Sequence, residues 1–361
     1  MNSVYAGNIT MTIFGESHGE SIGVVLDGLP PGLVLDMEAI EQEMERRKPG
    51  GLHATKRKEG DLVRIQSGLF QGMTTGAPLA ALIFNENTRS GDYEELRTKM
   101  RPGHSDYPGA VHYRGFNDYR GGGHFSGRLT APFLFAGALA KEYLKKEGVL
   151  IAGHLEEAAG IRDGAFTSGE TREELEALQG MALPLLHPEL APAISAAIEE
   201  ARQAGDSVGA ILEVQALGVR PGVGSPMLNS LESKISSLVF SVPGVKGISF
   251  GSGFALAGMK GSEANDPYYL EGGEVRLRSN HNGGILGGIS SGSPIILHVA
   301  MKPTSSIAKA QNTIDLEKKE ETVLEIKGRH DPIIGIRALP VVEGALALAL
   351  LDAYLEDRKW D

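Results

Sequence analysis

The sequence predicts an α+β fold, and three observations support that class. Strand-like and helix-like segments follow one another in mixed order, without the regular strand–helix–strand repetition that builds a doubly wound parallel sheet. Two helical segments, 130–146 and 339–357, are apolar on nearly every side, which is typical of helices buried against sheets. The chain of 361 residues contains no evident linker or low-complexity tract, so we expect a single domain over residues 1–361.

Local patterns place the individual elements. Short runs rich in β-branched and other apolar residues predict strands at 9–14, 22–26, 62–65, 79–84, 207–217 and 294–301. Apolar residues at helical spacing predict helices at 36–47, 130–146, 171–179, 189–204 and 339–357. In the first of these helices Asp36 is the expected N-cap, and Pro49-Gly50-Gly51 is the expected stop.

The two apolar helices share a short sequence. Each contains Gly-Ala-Leu-Ala, beginning at Gly137 and at Gly344, and each follows an Arg-rich motif that ends in Arg128 or Arg337. This parallel predicts an internal duplication.

Composition and charge exclude several classes of function. The formal net charge of −11 argues against nucleic acid as a partner. Acids far outnumber the three Arg of the span 155–206, which we expect to be a solvated helical face. Because the chain has no Cys, disulfides, thiolate metal sites and cysteine nucleophiles are excluded, and we predict no metal site. No apolar run approaches the roughly 20 residues of a membrane span and no signal pattern is present, so we expect a cytoplasmic protein without a membrane partner.

Residues 101–128 form a local concentration of positive charge within this acidic chain. They include four Arg, three His and seven Gly, against only Asp106 and Asp118 as acids. Arg provides permanently charged donors for phosphate and carboxylate groups, His provides a proton near neutral pH, and Gly lets backbone N–H groups approach a ligand. The segment therefore predicts a site for a small anionic molecule rather than only a basic surface loop.

Further polar, glycine-rich turns recur along the chain. Lys302-Pro303-Thr304-Ser305-Ser306 follows a predicted strand and carries the donors of a phosphate site, while the glycines of 279–292 allow a planar ligand to approach. Gly328-Arg329-His330-Asp331-Pro332 adds an Arg and an acid beside a His. Neither a P-loop nor a dinucleotide-binding glycine motif occurs at a strand–helix junction.

The segment Gly15-Glu16-Ser17-His18-Gly19 formally matches the nucleophile elbow of serine hydrolases. That elbow requires several preceding strands and an earlier oxyanion-hole segment, whereas barely one strand precedes this motif. We therefore interpret His18 as an acid on a tight turn and keep a serine hydrolase as a disfavoured alternative.

Taken in order, these clusters resemble those of the chorismate synthase family. The resemblance covers nearly the whole chain through GESHG, ERRKPG, SGLFQGMTTGAP, RSGDY, RPGHSDY, DYRGGG, SNHNGGILGGISSG, KPTSS and GRHDPIIGIRALPVVE. It implies an FMN-dependent lyase of the shikimate pathway that converts 5-enolpyruvylshikimate 3-phosphate to chorismate. The reaction is a 1,4-elimination of phosphate and a ring proton, which uses reduced FMN without net redox change.

The resemblance also implies residue roles. His18 protonates the departing phosphate, His104 faces the reduced flavin and stabilises its anionic ring, and Asp331 accepts a proton near flavin N5. The substrate-binding residues it implies are Ser17, Arg47, Arg101, Ser126, Arg128, Arg329 and Arg337. The FMN-binding residues it implies are His124, Phe125, Ser126, Gly287, Lys302, Pro303, Thr304, Ser305, Ser306 and Arg329, with NADPH as a reductant near Arg47 and His53.

Several expectations follow from this assignment. Five arginines gathered in one pocket would repel one another, so we expect the site to become ordered only when anions fill it. The fold implied is one of antiparallel sheets that sandwich central helices, and the assembly implied is a homotetramer. The sequence departs from the family at His53, at His124-Phe125 and at Val242-Pro243-Gly244, where we expect an altered rim around FMN. A non-catalytic protein that binds flavin or an anion remains the alternative of a different class.

Overall fold

The structure, a computed structural model, describes residues 3–48, 60–85, 95–326 and 330–358. Its helices are, in chain order, α1 Met37–Arg47, α2 Asp106–His112, α3 Thr130–Lys146, α4 Arg172–Gln179, α5 Ala191–Gln203, α6 Leu231–Val239, α7 Gly261–Ala264 and α8 Gly335–Asp357. Its strands are β1 Val4–Ala6, β2 Thr10–Gly15, β3 Ser21–Asp27, β4 Val63–Ser67, β5 Leu69–Phe70, β6 Met73–Thr74, β7 Leu79–Phe84, β8 Leu150–Ala158, β9 Ile161–Arg162, β10 Ala210–Leu217, β11 Val245–Phe250, β12 Tyr268–Glu271, β13 Glu274–Leu277, β14 Ile285–Leu286, β15 Ile289–Ser290, β16 Ile295–Met301, β17 Gln311–Asp315 and β18 Glu320–Leu324.

Two five-stranded sheets contain most of the longer strands. The first has the strand order β1-β2-β3-β7-β4, and the second has the order β11-β16-β10-β8-β9. Neighbouring strands are antiparallel in both sheets, as in the pairings of β2 with β3 and of β10 with β16. Antiparallel sheets combined with helices that follow no βαβ pattern confirm the α+β prediction.

The two apolar helices α3 and α8 pack on each other at the centre of the core. α3 also contacts β3 and β7 of the first sheet, and α8 contacts β8 and β10 of the second. At their crossing, a Cβ added to Gly137 would lie 2.5 Å from the Cα of Gly344. The shared Gly-Ala-Leu-Ala segment therefore allows a close helix contact, whereas the internal duplication stays a prediction.

Local sequence signals account for several helix ends. Asp36 caps α1 by accepting a hydrogen bond from the Ala39 N–H at 3.1 Å, as predicted. Thr171 and Glu174 form a capping box at the start of α4, so that each side chain satisfies a backbone N–H of the other.

Other predictions require correction. The last helix begins at Gly335 rather than at residue 339, because the polar Arg337 at its start interrupts the apolar pattern without interrupting the helix. Strand β8 was not predicted, and it falsifies part of the expectation for the acidic span 155–206. Its Glu156 is buried, as is Asp163 just beyond β9, because both carboxylates bind histidines inside the second sheet.

Helix α8 has the length and mean hydropathy, 1.7, of a membrane span. Its most apolar window is 94% buried within the fold, between α3 and the second sheet. Burial as the central helix accounts for this hydropathy.

Candidate active site

A cavity of about 780 Å³ lies where the β2–β3 turn, the segment 101–130, the loop after β16 and the start of α8 meet. This volume is within the range of small-molecule sites. The predicted residues that line it are Ser17, Arg47, Arg101, His104, His124, Phe125, Ser126, Arg128, Lys302, Pro303, Thr304, Ser305, Ser306, Asp331 and Arg337. Its apolar lining includes Met11, Ile13, Phe84, Leu129, Phe133, Leu238, Val242, Pro243, Ile334 and Val341.

Four predicted residues are missing from the described lining, two of them because they lie outside the described residues. His18 is buried and is not part of the lining, and Gly287 lies in the β14–β15 turn, also outside the lining. His53 and Arg329 lie outside the described residues.

Arg47 and Arg128 share one carboxylate. Arg47 stands at the C-terminal end of α1, Arg128 stands just before α3, and each donates to a different oxygen of Asp61. The Asp61 side chain is fully buried. Burial by itself would raise the pKa of Asp61, but the charges of the two guanidinium groups hold it below its usual value. A buried Asp61 anion therefore fixes the two arginines beside each other.

Arg101 forms a second pair with Asp106. Its Nε and Nη2 atoms donate to the two carboxylate oxygens of Asp106 at 2.7 Å each, and the Asp106 carboxylate also lies 2.6 Å from Nδ1 of His104. Burial would raise the pKa of Asp106, but hydrogen bonds from Arg101 and His104 hold it well below its ordinary value. Because Asp106 binds Nδ1, the Nε2 atom of His104 is the ring nitrogen left for a ligand.

Arg337 pairs with Asp331 in the same way. Its Nη1 donates to the Asp331 carboxylate at 2.5 Å, and its Nε donates to the backbone oxygen of Arg47 at 2.8 Å. The expectation that unfilled arginines would repel one another is therefore wrong for the four described arginines. Each of them has an aspartate partner, which neutralises part of its charge; Asp61 and Asp106 lie outside the described lining, and Asp331 is part of it.

The three glycines of the segment 121–123 separate the two predicted catalytic histidines. All three have positive φ values, 60°, 85° and 53°, which only glycine adopts without strain. A Cβ on Gly121 would lie 2.3 Å from the His18 ring, and a Cβ on Gly122 would lie 3.4 Å from Cε1 of His104. The absence of side chains is thus what allows both imidazoles to approach this turn.

The motif that contains Ser17 and His18 lies in a β-hairpin. β2 and β3 pair antiparallel up to Gly15 and Ile22, so the motif connects two strands. A nucleophile elbow connects a strand to a helix. The hairpin therefore rules out the elbow geometry, and the serine hydrolase alternative loses the only feature that favoured it.

The loop after β16 meets the turn 101–104 across the cavity. Lys302 donates to the Gly103 backbone oxygen, and Ser306 accepts from Arg101 Nη1 at 3.2 Å. Burial, together with the charge of Lys246, lowers the pKa of Lys302. Within the part of the chain that the structure describes, no carboxylate forms an ion pair with Lys302, so a bound anion would relieve this unfavourable environment.

The glycine-rich segment 279–292 contacts protein backbone, and it was expected to face a planar ligand. A Cβ on Gly283 would lie 2.3 Å from the Gly251 nitrogen, and one on Gly288 would lie 2.4 Å from the Ser225 oxygen. Asp266 holds the start of this segment by accepting from Ser279 and from the His281 and Asn282 N–H groups. These glycines therefore serve packing within the chain, and the FMN contact of Gly287 stays a prediction.

Sequence reasoning missed the carboxylates and the amide that support the site. Asp61 and Asn85 lie in no recognisable motif, although Asn85 accepts from Arg128 Nε at 3.0 Å and donates to the backbone of the β2–β3 turn. Asp118 pairs with Arg120 and interacts electrostatically with His18. One sequence feature could have identified two of these carboxylates, because Asp106 and Asp118 are the only acids in the basic segment 101–128.

The fold and the cavity together define an enzyme-like site for a small molecule with several negative charges. Comparisons with known proteins give the family. The family model described as chorismate synthase matches residues 9–355. The chain is 45% identical to the chorismate synthase of Thermococcus kodakarensis and 44% identical to that of Pyrococcus abyssi, each over 98% of both chains.

A solved structure agrees with these sequence matches. The crystal structure of a chorismate synthase superimposes with a TM-score of 0.75 at 27% identity, and the match covers 97% of this chain and 92% of that one. The chain therefore belongs to the chorismate synthase family. It is an enzyme of the shikimate pathway, a lyase that converts 5-enolpyruvylshikimate 3-phosphate to chorismate.

Proposed function

We propose that the 780 Å³ cavity is where the substrate and reduced FMN bind together. The observation that carries this proposal is the arrangement of the cavity wall. Arg47, Arg101, Arg128, Arg337 and Lys302 are five cations of the described lining, and Asp331 is the only carboxylate there. The substrate brings a phosphate and two carboxylates, and FMN brings another phosphate, so a cationic wall suits both ligands.

The described residues fit a flavin as well as an anion. Phe84, Phe133, Leu238 and Val242 supply apolar surface for a flat ring system, while Lys302 and the Ser305 and Ser306 hydroxyls supply donors suited to its phosphate. Pro243 also lines the cavity, and it contributes no backbone N–H at this rim. When bound, reduced FMN supplies the electron density that assists departure of the substrate phosphate.

The chain itself contributes charge, orientation and proton transfer. The arginines hold the substrate anions, with Ser17 and Ser126 at the same wall. His18, which is buried and follows Ser17 of this wall in the chain, donates a proton to the departing phosphate, the general-acid role that histidine performs most often. With Nδ1 bound by Asp106, His104 would offer Nε2 to the reduced flavin, and the Asp331 carboxylate would accept the proton released from the substrate.

Further features of the proposal extend to the whole protein. We infer that the protein is a cytoplasmic homotetramer and that each chain is one domain. In that domain the antiparallel sheets sandwich the helix pair α3–α8, and the two halves of the domain arose by duplication. The near alignment of the Gly137 and Gly344 segments at the helix crossing supports the duplication. Flavin reduction by NADPH near Arg47 and His53 is a separate activity, which an anaerobic assay with oxidised FMN, with and without NADPH, tests directly.

The decisive experiment for the flavin requirement uses strict exclusion of oxygen. With oxidised FMN and no reductant the protein should release no chorismate, and photoreduction should start turnover without consuming reducing equivalents. Steady turnover with oxidised FMN alone would reject the redox requirement. Binding of reduced FMN without any turnover would instead favour the flavin-binding alternative.

His18→Ala tests the proposed proton donor. Turnover should fall by roughly two to four powers of ten while FMN still binds, because general acid catalysis contributes about that much. His104→Ala should impair turnover more than it impairs binding of oxidised FMN. Near-normal turnover in either folded variant would reject the role of that residue.

A further inference from the structure

His124 lies at the cavity, yet both of its ring nitrogens bind protein atoms. Nδ1 lies 2.9 Å from the backbone oxygen of Gly15, and Nε2 lies 2.7 Å from the Ser3 hydroxyl. A carbonyl oxygen only accepts, so Nδ1 carries the proton, and Nε2 of the neutral ring accepts from Ser3. One neutral tautomer therefore satisfies both contacts and leaves no ring nitrogen for a hydrogen bond to a ligand.

These contacts join the two turns that surround His18. Gly15 ends β2 two residues before Ser17, whereas His124 follows the three positive-φ glycines. In a second hydrogen bond the turn 15–18 is the donor, because the Ser17 N–H donates to the Gly123 backbone oxygen at 3.1 Å. The turn 15–18 and the turn 121–124 are thus held together by one side-chain hydrogen bond and one backbone hydrogen bond.

The spacing between these turns determines where the His18 ring lies. The Gly121 backbone packs so closely on that ring that even a methyl group would overlap it at 2.3 Å. On the other side of the same turn, Gly122 packs on His104. A shift of the turn 15–18 relative to the glycine turn therefore moves the His18 ring relative to the His104 ring.

We propose that His124 is a positioning residue, which sets the His18 imidazole against the glycine turn through the Gly15 carbonyl. This inference rests on the proposed role of His18 as the proton donor. It assigns to His124 an effect on the rate of the chemical step, in place of the direct FMN contact that the sequence predicted. Misplacement of a catalytic group by about 1 Å costs up to about a hundredfold in rate.

The first test compares His124→Ala, His124→Asn and His124→Gln under anaerobic conditions with saturating reduced FMN. The Ala variant should lose about 10-fold to 100-fold in kcat, while its KM and its dissociation constant for FMN change less than about threefold. The amide nitrogen of Asn can replace Nδ1 towards Gly15, so His124→Asn should recover most of the activity. The longer Gln places its amide nearer the Nε2 position and should not recover it.

Two results would overturn the positioning role. The first is a loss of FMN affinity in His124→Ala with unchanged kcat at saturating FMN, which would show a direct cofactor contact. The second is equal activity of the Asn and Gln variants. This second comparison stands even where His124→Ala folds poorly, because both amides retain a polar side chain. Ser3→Ala, which removes only the Nε2 contact, should lose less activity than His124→Ala.

A double-mutant cycle with His18→Ala separates this inference from the function on which it rests. If His124 acts through His18, His124→Ala should cause little further loss of turnover in the His18→Ala background. Additive losses, with His18→Ala itself impaired, would reject only the positioning role. Normal turnover in His18→Ala alone would reject the proton donor and the positioning role with it.

Discussion

Arg46 and Arg47 are adjacent in α1 and belong to two different charge networks. Arg46 forms two hydrogen bonds with the fully buried Glu343 of α8, at 2.6 Å and 2.7 Å, and Lys141 of α3 binds the same carboxylate at 2.7 Å. Arg47 points to the cavity and shares Asp61 with Arg128. Of these two neighbouring arginines, Arg46 therefore faces the core between the helices and Arg47 faces the active site.

The two networks differ in their balance of charge. Around Glu343 the two cations meet two carboxylates, because Glu43 also binds Arg46 and Lys141. Burial would raise the pKa of Glu343, but Arg46 and Lys141 hold it below its usual value. At the cavity the described lining is strongly cationic, and its aspartates lie mainly behind the arginines. A balanced network stabilises the fold, whereas a cationic excess is suited to binding an anion.

The largest effect is expected from Glu343→Gln, which leaves two buried cations only partly neutralised. The free energy of unfolding should fall by about 3–5 kcal/mol, as is typical when one partner of a buried ion pair is removed. Chemical denaturation measures this loss, and KM of the folded fraction should be unchanged. Glu43→Gln is the matched control and should cost less, because Glu43 is partly exposed. Equal, small losses in both variants would remove the distinction between the networks.

Arg128→Ala should show the opposite pattern. Loss of a charge-assisted contact in the cavity is expected to cost about 1.5–3 kcal/mol of substrate binding, roughly 10-fold to 150-fold in affinity. The free energy of unfolding should fall less than in Glu343→Gln, since the single charge of Asp61 keeps Arg47 as a full partner. Arg120→Ala is the control within the same segment, because Arg120 binds Asp118 outside the cavity lining. If Arg128→Ala lost most of its stability but bound substrate with normal affinity, Arg128 would stabilise the fold, as Arg46 does, and would not bind substrate. The sequence predicts the same behaviour for Arg329.

The pH dependence of stability should also separate the cavity from the second sheet. There His154 lies between Asp163 at 3.1 Å and Glu213 at 2.7 Å. Burial would lower the pKa of His154, but hydrogen bonds to these carboxylates raise it above its ordinary value. The resulting stability is fully present below about pH 6.5 and is lost as the pH rises through the raised pKa. The lowered pKa of Asp61 acts in the other direction, with stability present above about pH 4 and lost in acid.

Unfolding free energies measured from about pH 3 to about pH 9 check this prediction. His154→Gln should flatten the alkaline decline and leave the acid decline unchanged. His298 shares Glu156 and Glu213 in the same sheet and also has a raised pKa, so a residual slope is expected to remain. If the alkaline decline in stability were identical in the wild type and in His154→Gln, groups other than His154 would cause that decline.

The smallest effect is expected at Lys302. Lys302→Met should weaken binding of inorganic phosphate by less than about fivefold, since a partly exposed charge contributes roughly 0.2–1 kcal/mol. In the wild type, phosphate affinity should fall as the pH rises through the lowered pKa of Lys302, and the variant should lack this decline. Calorimetric titration with phosphate measures both. Lys309→Met is the control, because Lys309 pairs with Asp206, and a comparable loss there would indicate a general charge effect.

Much of the fold and of the candidate site could be predicted from the sequence. Apolar periodicity and capping residues determined α1 and α4, because these signals act within one or two helical turns, and a nearly continuous apolar composition determined α3. The cationic glycine-rich clusters were equally visible, since charge and residue type do not depend on the fold. Fifteen of the site residues that the family resemblance implied line one cavity.

Only the tertiary structure decided which charges are paired and what each glycine contacts. Nothing near Arg47 in the sequence indicates Asp61, and nothing near Arg46 indicates Glu343, almost 300 residues away. The sequence did not predict strand β8, because in the sequence Glu156 has the pattern of a solvent-exposed acid. In the structure Glu156 is buried, since His298 of another strand binds its carboxylate. Likewise, the glycines of 121–123 are required because two histidines from distant segments approach them. A local pattern shows that a group needs a partner, but the partner itself is determined by how distant segments pack.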